Sequence, residues 1–480
     1  MKYSEKVNAE TSTALKPALK LFAAFIILSL TACGGDGSDG VTVLPEDVAN
    51  QIRLKVNNAS FDDQLGTNVS LSGDTLVVGV ANEDGVADDA GAVYVFIRSG
   101  STWILEDRLT ADNAEAGDNF GASVSLSGDT LAVGAPFEDG GRSSTLGNTN
   151  NNATDSGAVY VFTRTDGVWR PDALLKATNA DRRDHFGESV ALFGDTLVVG
   201  APDEAARSGS GIGANNNTAP GAGAVYVYTL GINGNWGDQV YLKASNAQAG
   251  DRFGTSVALD GDTLAVAAVG EDGNDLGGED DSGAAYVFVR DNNTWTEQQR
   301  IKVDNADAND QFGSSVALSG NTLAVGAVGE DGDTNSTAAN LNEGANEAGA
   351  VYVFTRSGTS WNLQAYVKAS NAQADDGFGT SVALAGDTLV VGAPFEDGDA
   401  GSTADSPTDN TTDAGAVYVF TRDSAIWSQQ SYLKADNAQA DDQFGTSVAL
   451  TTATVAVGAP NEDGDDDGRT ENAGAVYVFQ

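Results

Sequence analysis

The sequence predicts an all-β fold, a seven-bladed β-propeller in which each blade is a four-stranded antiparallel sheet. Three observations predict it: a sevenfold internal repeat, four strand-like segments in each repeat, and no stretch with helical periodicity. Strand-rich repeats cannot bury a core alone, so they must stack on their neighbours. A β-solenoid is the alternative architecture, but its repeats are usually shorter and its strands parallel.

Each repeat is marked by a Phe-Gly pair that begins two residues after an Asp. Successive pairs are 55 to 67 residues apart, and the first copy has Leu65 in place of Phe. We expect the Phe to pack between blades and the Gly to permit close approach of the backbone near a crowded axis. The six complete pairs are Phe120-Gly121, Phe186-Gly187, Phe253-Gly254, Phe312-Gly313, Phe378-Gly379 and Phe444-Gly445.

The second repeat illustrates the four predicted strands. Its first two strands flank Gly128-Asp129, a dipeptide that suits a type II′ hairpin. A long polar loop then leads to a third strand that is rich in Val and aromatic residues. The predicted strands are residues 122–126, 131–135, 157–164 and 173–176.

Both ends of the repeat region predict a closed ring. Residues 474–480 have the pattern of a third strand, and residues 51–56 have that of a fourth strand. The N-terminal strand is therefore predicted to complete the last blade, which leaves no whole blade exposed at an end. One Trp precedes each of the six internal fourth strands, at Trp103, Trp169, Trp236, Trp295, Trp361 and Trp427.

Residues 1–32 are predicted to be a lipoprotein signal peptide. Residues 21–30 (LFAAFIILSL) form a ten-residue apolar run, which is short for a membrane-spanning helix and typical of a secretory signal. The following Leu30–Cys33 resembles a bacterial lipobox, which implies a lipidated Cys33; a plain signal peptide is the alternative. Residues 33–50 are predicted to be a flexible tether, and residues 51–480 the propeller. Gly34 resembles an outer-membrane address, with the domain facing the periplasm or the exterior.

The chain is strongly acidic, with a formal net charge of −44. Residues 1–32 contain four Lys and two Glu, so their removal would leave −46. This charge argues against nucleic acid or anionic lipid heads as partners. It is compatible with divalent cations, basic partners, a salty habitat or solubility alone. Cys33 is the only cysteine, so no internal disulfide is possible.

The repeats resemble FG-GAP repeats, the unit of the integrin alpha-subunit propeller and of many bacterial surface proteins. Phe-Gly corresponds to the FG, and Gly-Ala-Pro follows the second strand in four copies, at residues 134–136, 200–202, 392–394 and 458–460. Three copies depart from the motif, at residues 79–81, 267–269 and 326–328. The resemblance implies a monomeric, non-enzymatic, surface-exposed adhesion propeller that binds a protein or glycan.

The resemblance also implies a calcium loop in the hairpin between the first two strands. Here that hairpin has only two to four residues. It cannot supply the six to eight oxygen ligands that calcium prefers. The family's metal site is therefore not expected in this chain.

Acidic residues are predicted to concentrate on one face of the propeller. Alternate connections of an antiparallel blade fall on opposite faces, so the long second-to-third loops share a face with the blade-to-blade links. Two interpretations stay open for the acids of these loops: joint binding of Ca²⁺, or solvation of the loops. The Asp before each Phe-Gly pair fits a turn-capping role. The candidate Ca²⁺ ligands are Glu138, Asp139, Glu271, Asp272, Glu330, Asp331, Glu396, Asp397, Glu462, Asp463, Asp465 and Asp467.

No catalytic constellation is evident in the sequence. His185 is the only histidine, and its place in a blade-to-blade link predicts a surface residue. The acids repeat in each blade, whereas an active site usually breaks symmetry, so a non-enzymatic protein is expected. Arg142, Arg182-Arg183, Arg207 and Arg252 mark a binding patch or serve as scattered counter-charges. An envelope-assembly module and a carboxylate-based polysaccharide enzyme are the alternative functions.

Overall fold

A computed structural model of the chain describes residues 51–58, 60–142, 144–146, 151–206, 217–272, 281–334, 336, 344–400, 402, 410–463 and 471–480. The predicted signal peptide, Cys33 and the tether lie outside these residues, as do Asp465, Asp467 and Arg207. Within the described part of the chain, no helix has the length and apolar character needed to cross a membrane.

The described residues form seven separate four-stranded antiparallel sheets, so the predicted seven-bladed β-propeller is confirmed. The first strands of neighbouring blades contact one another and are therefore the innermost strands. Blades 1 to 7 are numbered in the chain order of these innermost strands. The strands are β2 (Asn68–Ser72), β6 (Ser123–Ser127), β10 (Ser189–Phe193), β14 (Phe253–Asp260), β18 (Phe312–Ser319), β22 (Ser381–Ala385) and β26 (Ser447–Thr451).

The remaining strands follow outward from the axis in the same blade order. The second strands are β3 (Thr75–Val80), β7 (Thr130–Ala135), β11 (Thr196–Ala201), β15 (Thr263–Ala268), β19 (Thr322–Ala327), β23 (Thr388–Ala393) and β27 (Thr454–Ala459). The third strands are β4 (Ala92–Ser99), β8 (Ala158–Thr165), β12 (Ala224–Leu230), β16 (Ala284–Asp291), β20 (Ala350–Ser357), β24 (Ala416–Asp423) and β28 (Ala475–Phe479). The fourth strands are β5 (Thr102–Leu109), β9 (Val168–Leu175), β13 (Trp236–Leu242), β17 (Thr294–Ile301), β21 (Ser360–Val367), β25 (Ile426–Leu433) and, in blade 7, β1 (Gln51–Leu54).

The ring closes as predicted, because β1 pairs antiparallel with β28 and completes blade 7. A side-chain bond then joins this blade to blade 1: the Ser447 hydroxyl donates to the Gly66 carbonyl at 2.8 Å. The equivalent bond inside the ring runs from Ser123 to Gly187 at 2.7 Å. Blades 7 and 1 are therefore joined like an internal pair of blades.

The fourth strands begin earlier than the sequence predicted. In blade 2 the strand is β9, and Trp169 is its second residue rather than a residue before it. Polar and charged residues such as Arg170 and Asp172 interrupt the apolar alternation here because the outermost strand faces solvent on one side. The fourth strand of blade 2 is consequently longer than its apolar pattern indicates, whereas β1 of blade 7 is shorter than the predicted residues 51–56.

The core lies between the blades, and the Phe-Gly pair takes the role predicted for it. Phe120 is fully buried and packs edge-to-face on Tyr160 of its own blade, with ring centroids 5.3 Å apart. It also packs against Val93 in blade 1. Gly134, of the Gly-Ala-Pro motif, lies so close to the next blade that a Cβ would sit 2.0 Å from the Gly187 carbonyl oxygen. A side chain is therefore excluded at this crossing.

The blades have two distinct faces. The hairpins between first and second strands and between third and fourth strands lie on one face, called here the short-turn face. The loops between second and third strands and the links between blades lie on the other, called here the long-loop face. This division follows from the antiparallel order of the strands within each blade.

Candidate functional site

Directly beneath the long-loop face, each blade buries one glutamate. We expected these side chains on an acidic rim, and that expectation is wrong, because each Glu is only 1% to 3% exposed. A buried carboxylate requires a charged or hydrogen-bonding partner, and the fold supplies both. The seven residues are Glu83, Glu138, Glu204, Glu271, Glu330, Glu396 and Glu462.

Blade 2 shows how the glutamate is held. Lys176, which follows the fourth strand, donates to Glu138 Oε2 at 2.5 Å. The Asn113 amide donates to Glu138 Oε1 at 3.3 Å and accepts from the Tyr160 hydroxyl at 2.8 Å. Burial raises the pKa of Tyr160, so its hydroxyl stays protonated and donates. Glu138 is therefore part of a structural network and not a free ligand.

The same Glu-Asn-Tyr chain recurs in four further blades. An Asn from the blade-to-blade link donates to the Glu and accepts from the third-strand Tyr, with distances of 2.7 to 3.1 Å. These chains are Glu204-Asn179-Tyr226, Glu271-Asn246-Tyr286, Glu396-Asn371-Tyr418 and Glu462-Asn437-Tyr477.

The Asp before each Phe-Gly pair caps its own turn, as predicted. Asp118 Oδ2 accepts from the backbone N–H of Glu115, three residues earlier, at 2.8 Å. The bond recurs in all seven links, at 2.5 to 2.8 Å. Burial raises the pKa of Asp118 to about 7 and that of Asp376 to about 8. The seven acids are Asp63, Asp118, Asp184, Asp251, Asp310, Asp376 and Asp442.

The Asp of each Glu-Asp pair closes the long loop that it begins. Asp139 Oδ1 accepts from the backbone N–H of Asp155 at 2.9 Å, and Asp397 from that of Asp413 at 3.0 Å. Among the described residues, no three His, Cys, Asp or Glu side chains form a group suited to a metal ion. Calcium binding by the acidic loops is one of the two interpretations that the sequence leaves open, and Asp465 and Asp467 lie outside the described residues.

One cluster breaks the sevenfold pattern on the long-loop face. His185 Nδ1 lies 2.6 Å from Asp203 Oδ2, and Arg252 approaches the same oxygen at 3.9 Å. The Phe137 ring packs edge-to-face on the imidazole with centroids 5.0 Å apart, and the ring is 38% exposed. We call these residues, with Glu188, the blade 2–4 cluster.

Equivalent positions elsewhere are uncharged: Gln, Asn or Gly at the position of His185 and Arg252, and Asn, Gly or Phe at the position of Asp203. Asn82 donates to Gln64 at 2.9 Å, and Asn119 donates to Asn82 at 3.0 Å. Glu188 is exposed directly before β10, where the other six blades carry Thr, Ser or Ala. The cluster therefore concentrates imidazole, guanidinium, carboxylate and aromatic groups where the rest of the ring has uncharged side chains.

The charges within the cluster stabilise one another. The hydrogen bond to Asp203 raises the pKa of His185, and partial burial opposes this shift. The same bond lowers the pKa of Asp203. The imidazole and the guanidinium thus share one carboxylate, and with Glu188 the cluster presents both basic and carboxylate groups to a hydroxyl-rich or peptide ligand.

Sequence reasoning identified part of this cluster. Arg252 was among the arginines proposed for a binding patch, and His185 lies in a link as predicted. Asp203 was noted only as part of the reversed acidic pair of the third repeat, Asp203-Glu204. Glu188 and Phe137 were not singled out, although a position-by-position comparison of the seven repeats would have shown Glu188 as a departure. Arg142 and Arg183 instead lie beside Asp181 and Asp155, at 3.7 and 3.9 Å, as counter-charges.

The comparison with a known protein gives a partial match. The chain is 32% identical over 162 residues to integrin alpha-PS5 of Drosophila melanogaster. The match covers 32% of this chain and 14% of that protein.

The family comparison covers most of the chain. All seven blades match the FG-GAP repeat, at residues 49–96, 103–162, 169–228, 236–288, 295–354, 361–420 and 427–479. The spans cross the blade boundaries in the way expected for a propeller whose last blade is completed by the N-terminal strand. The chain therefore belongs to the FG-GAP repeat family.

Proposed function

We propose that this protein is a membrane-anchored, surface-exposed, non-enzymatic binding propeller that holds a protein or glycan partner on its long-loop face. The observation that carries the proposal is the blade 2–4 cluster. A binding site usually departs from the symmetry of its scaffold, and this cluster is a charged departure among uncharged equivalents. The FG-GAP family and the similarity to part of an integrin alpha chain support a binding role.

The chemistry of the cluster favours recognition over catalysis. His185 and Arg252 already share Asp203, so their donors are oriented before a ligand arrives, which reduces the ordering cost of binding. The half-exposed Phe137 offers an apolar surface beside them. An aromatic face next to carboxylate and guanidinium groups suits a sugar ring or an extended peptide.

Membrane attachment rests on the lipobox-like Leu30–Cys33 and stays part of the proposal. Cells fed a labelled fatty acid should transfer the label to the wild-type protein and not to Cys33→Ser. The variant should also move from the membrane fraction to the soluble fraction. Label retained on Cys33→Ser would contradict lipidation at this residue.

The binding proposal is tested with the full-length protein on an array of glycans and envelope proteins. We expect one class of ligand to bind, and Asp203→Ala and Arg252→Ala to weaken that binding. Asp423→Ala, an exposed acid on the short-turn face, is the matched control and should bind like the wild type. Binding that is unaffected by both cluster variants would contradict the assignment of the site.

Cells that lack the protein separate the remaining alternatives. Loss of attachment with an intact envelope supports the binding function. Envelope defects without a change in attachment would instead indicate an envelope-assembly module. Release of reducing ends from a polysaccharide panel by the purified protein would indicate an enzyme.

A further inference from the structure

An arginine holds the short-turn face together in five blades. In blade 2, Arg164 Nε donates to Asp129 Oδ1 in the first hairpin at 2.7 Å, and its guanidinium lies 5.1 Å from the Trp169 ring centroid. The same arginine binds Glu106 of blade 1 at 3.1 Å. The five hairpin pairs are Arg98–Asp74, Arg164–Asp129, Arg290–Asp262, Arg356–Asn321 and Arg422–Asp387.

Blade 3 keeps the partners of this arginine but not the arginine itself. Leu230 occupies the arginine position at the end of β12. Asp195 corresponds to Asp129 in the first hairpin, and Asp172 of blade 2 corresponds to Glu106. Asp172 accepts from the Trp236 indole N–H at 3.2 Å, just as Glu106 accepts from that of Trp169 at 3.0 Å.

The residues that surround the missing guanidinium in blade 3 could bind a guanidinium group. Asp195 and Asp172 are exposed, and neither forms an ion pair with a Lys or Arg in the described part of the chain. Trp236 is half-buried, and no guanidinium covers its ring there. Two carboxylates beside an aromatic ring suit one planar cation that both bonds and stacks.

Open space borders this blade on both sides. A cavity of about 620 Å³ is lined by Asp195 and Phe193 together with Asp262 and Arg290 of blade 4. A separate cavity of about 340 Å³ is lined by Asp172 and Trp236. Phe193 is 48% exposed, and Ile232 in the adjoining turn is fully exposed. These apolar side chains could contact the molecule that presents the cation.

We propose that blade 3 binds an arginine side chain presented by a polypeptide partner, with Asp195 and Asp172 accepting from the guanidinium and Trp236 stacking on it. Five other blades supply the template, because each carries an arginine at this position, and in four of them the guanidinium lies over the Trp ring. The site lies on the short-turn face, so it is distinct from the blade 2–4 cluster. Lysine fits less well, since an ammonium lacks the planar fork that bonds and stacks at once.

The test uses fluorine NMR of the full-length protein labelled with fluorotryptophan, with N-acetyl-arginine amide as the probe. Trp236→Phe assigns the Trp236 signal. We expect that signal to shift in a saturable manner while the Trp169 signal, already covered by Arg164, stays in place. N-acetyl-citrulline amide, which has nearly the same shape and no charge, should have no effect.

Two substitutions give the proposal a matched pair of controls. Asp195→Asn should raise the dissociation constant of N-acetyl-arginine amide about tenfold, because one charge-assisted hydrogen bond is lost. Asp129→Asn, the equivalent change at an occupied site, should leave the Trp236 titration unchanged.

Leu230→Arg restores the missing side chain and gives an independent check. It should shift the Trp236 signal without any probe, raise the midpoint of thermal unfolding and abolish the response to the probe. The proposal is overturned if the Trp236 signal stays fixed up to the solubility limit of the probe. It is also overturned if citrulline produces the same shift, or if the response survives Leu230→Arg.

Discussion

Lys176 and Glu138 form an ion pair at 2.5 Å, with side chains only 3% and 2% exposed to solvent. The pair joins the residue after the fourth strand to the start of the long loop, so it holds the outer edge of blade 2 against its long-loop face. Removing one partner from a buried pair leaves an uncompensated charge, which is far more costly than the loss of the pair itself.

Lys176→Met should therefore destabilise the propeller by about 3–5 kcal/mol. The free energy of unfolding, measured in urea, checks this value. Arg183→Met is the matched control, because its pair with Asp155 spans 3.9 Å and Arg183 is 77% exposed. That control should change stability by no more than about 1 kcal/mol. Equal effects of the two substitutions would contradict the special importance of the buried Lys176–Glu138 pair for stability.

Blade 1 lacks this lysine and offers the reverse experiment. Thr110 stands where the other six blades carry Lys55, Lys176, Lys243, Lys302, Lys368 and Lys434. Glu83 Oε2 is buried without a hydrogen-bond partner among the described residues, although Arg108 binds the other oxygen at 2.8 Å.

Thr110→Lys should satisfy Glu83 Oε2 and stabilise the protein by about 1 kcal/mol. The midpoint of urea unfolding provides the measurement. Thr110→Met, of similar length without the charge, should not stabilise the protein. A loss of stability with lysine would mean that water already fills this position and that the ammonium loses more in desolvation than it gains.

The buried Asp residues predict that stability falls as the pH rises from about 5 to 7. Burial raises the pKa of Asp118, Asp251 and Asp442 from 3.8 to about 7, so the folded state keeps protons that the unfolded state has released. The raised pKa of His185 acts in the same direction, because its stabilising contribution is lost as the pH rises. Thermal unfolding midpoints across this range measure the trend.

Asp376→Asn isolates one of these carboxyl groups. Its pKa is raised to about 8 by burial, and Asn retains the oxygen that accepts from the Gln373 backbone N–H. The variant should have a shallower pH dependence and be at least as stable as the wild type at pH near 8. The exposed Asp423→Asn should leave the slope unchanged. A slope that is identical in all three proteins would refute the role of Asp376.

Calcium tests the remaining hypothesis for the acidic loops. The buried Glu residues already bind Lys or Arg, so we expect calcium added after EDTA to raise the unfolding midpoint no more than sodium at the same ionic strength. Such a rise would reflect screening of the net charge of −44. A saturable, calcium-selective rise would instead establish a metal site in the loops.

The repeat pattern was sufficient to predict most of the fold. The spacing of Phe120-Gly121 and its copies, the alternating third strands and the match of residues 51–56 to a fourth strand gave the blade count and the closure. Strand ends were less accurate, since the solvent-facing side of β9 carries charged residues that hide its start. Local patterning therefore located each strand and not its full length.

The candidate sites were only partly accessible from the sequence. Arg252 was selected by its charge, but its neighbours Asp203 and His185 come from different segments that only blade packing brings together. In the calcium interpretation, the two acids of each Glu-Asp pair were expected to bind one ion together. In the structure, the two side chains instead point in different directions and have different partners. Glu138 turns inward to Lys176, while Asp139 binds the loop backbone.

By itself, the sequence determined the repeat, the strand order, the positions that require Phe or Gly, and the strongly acidic charge. These properties follow from side-chain period and backbone sterics, which act over a few residues. The tertiary structure alone decided which acids are buried beside a cation, which stay exposed, and where blade 3 lacks its arginine. Those outcomes depend on distances between blades, and a carboxylate's environment is set by neighbours that are remote in the chain.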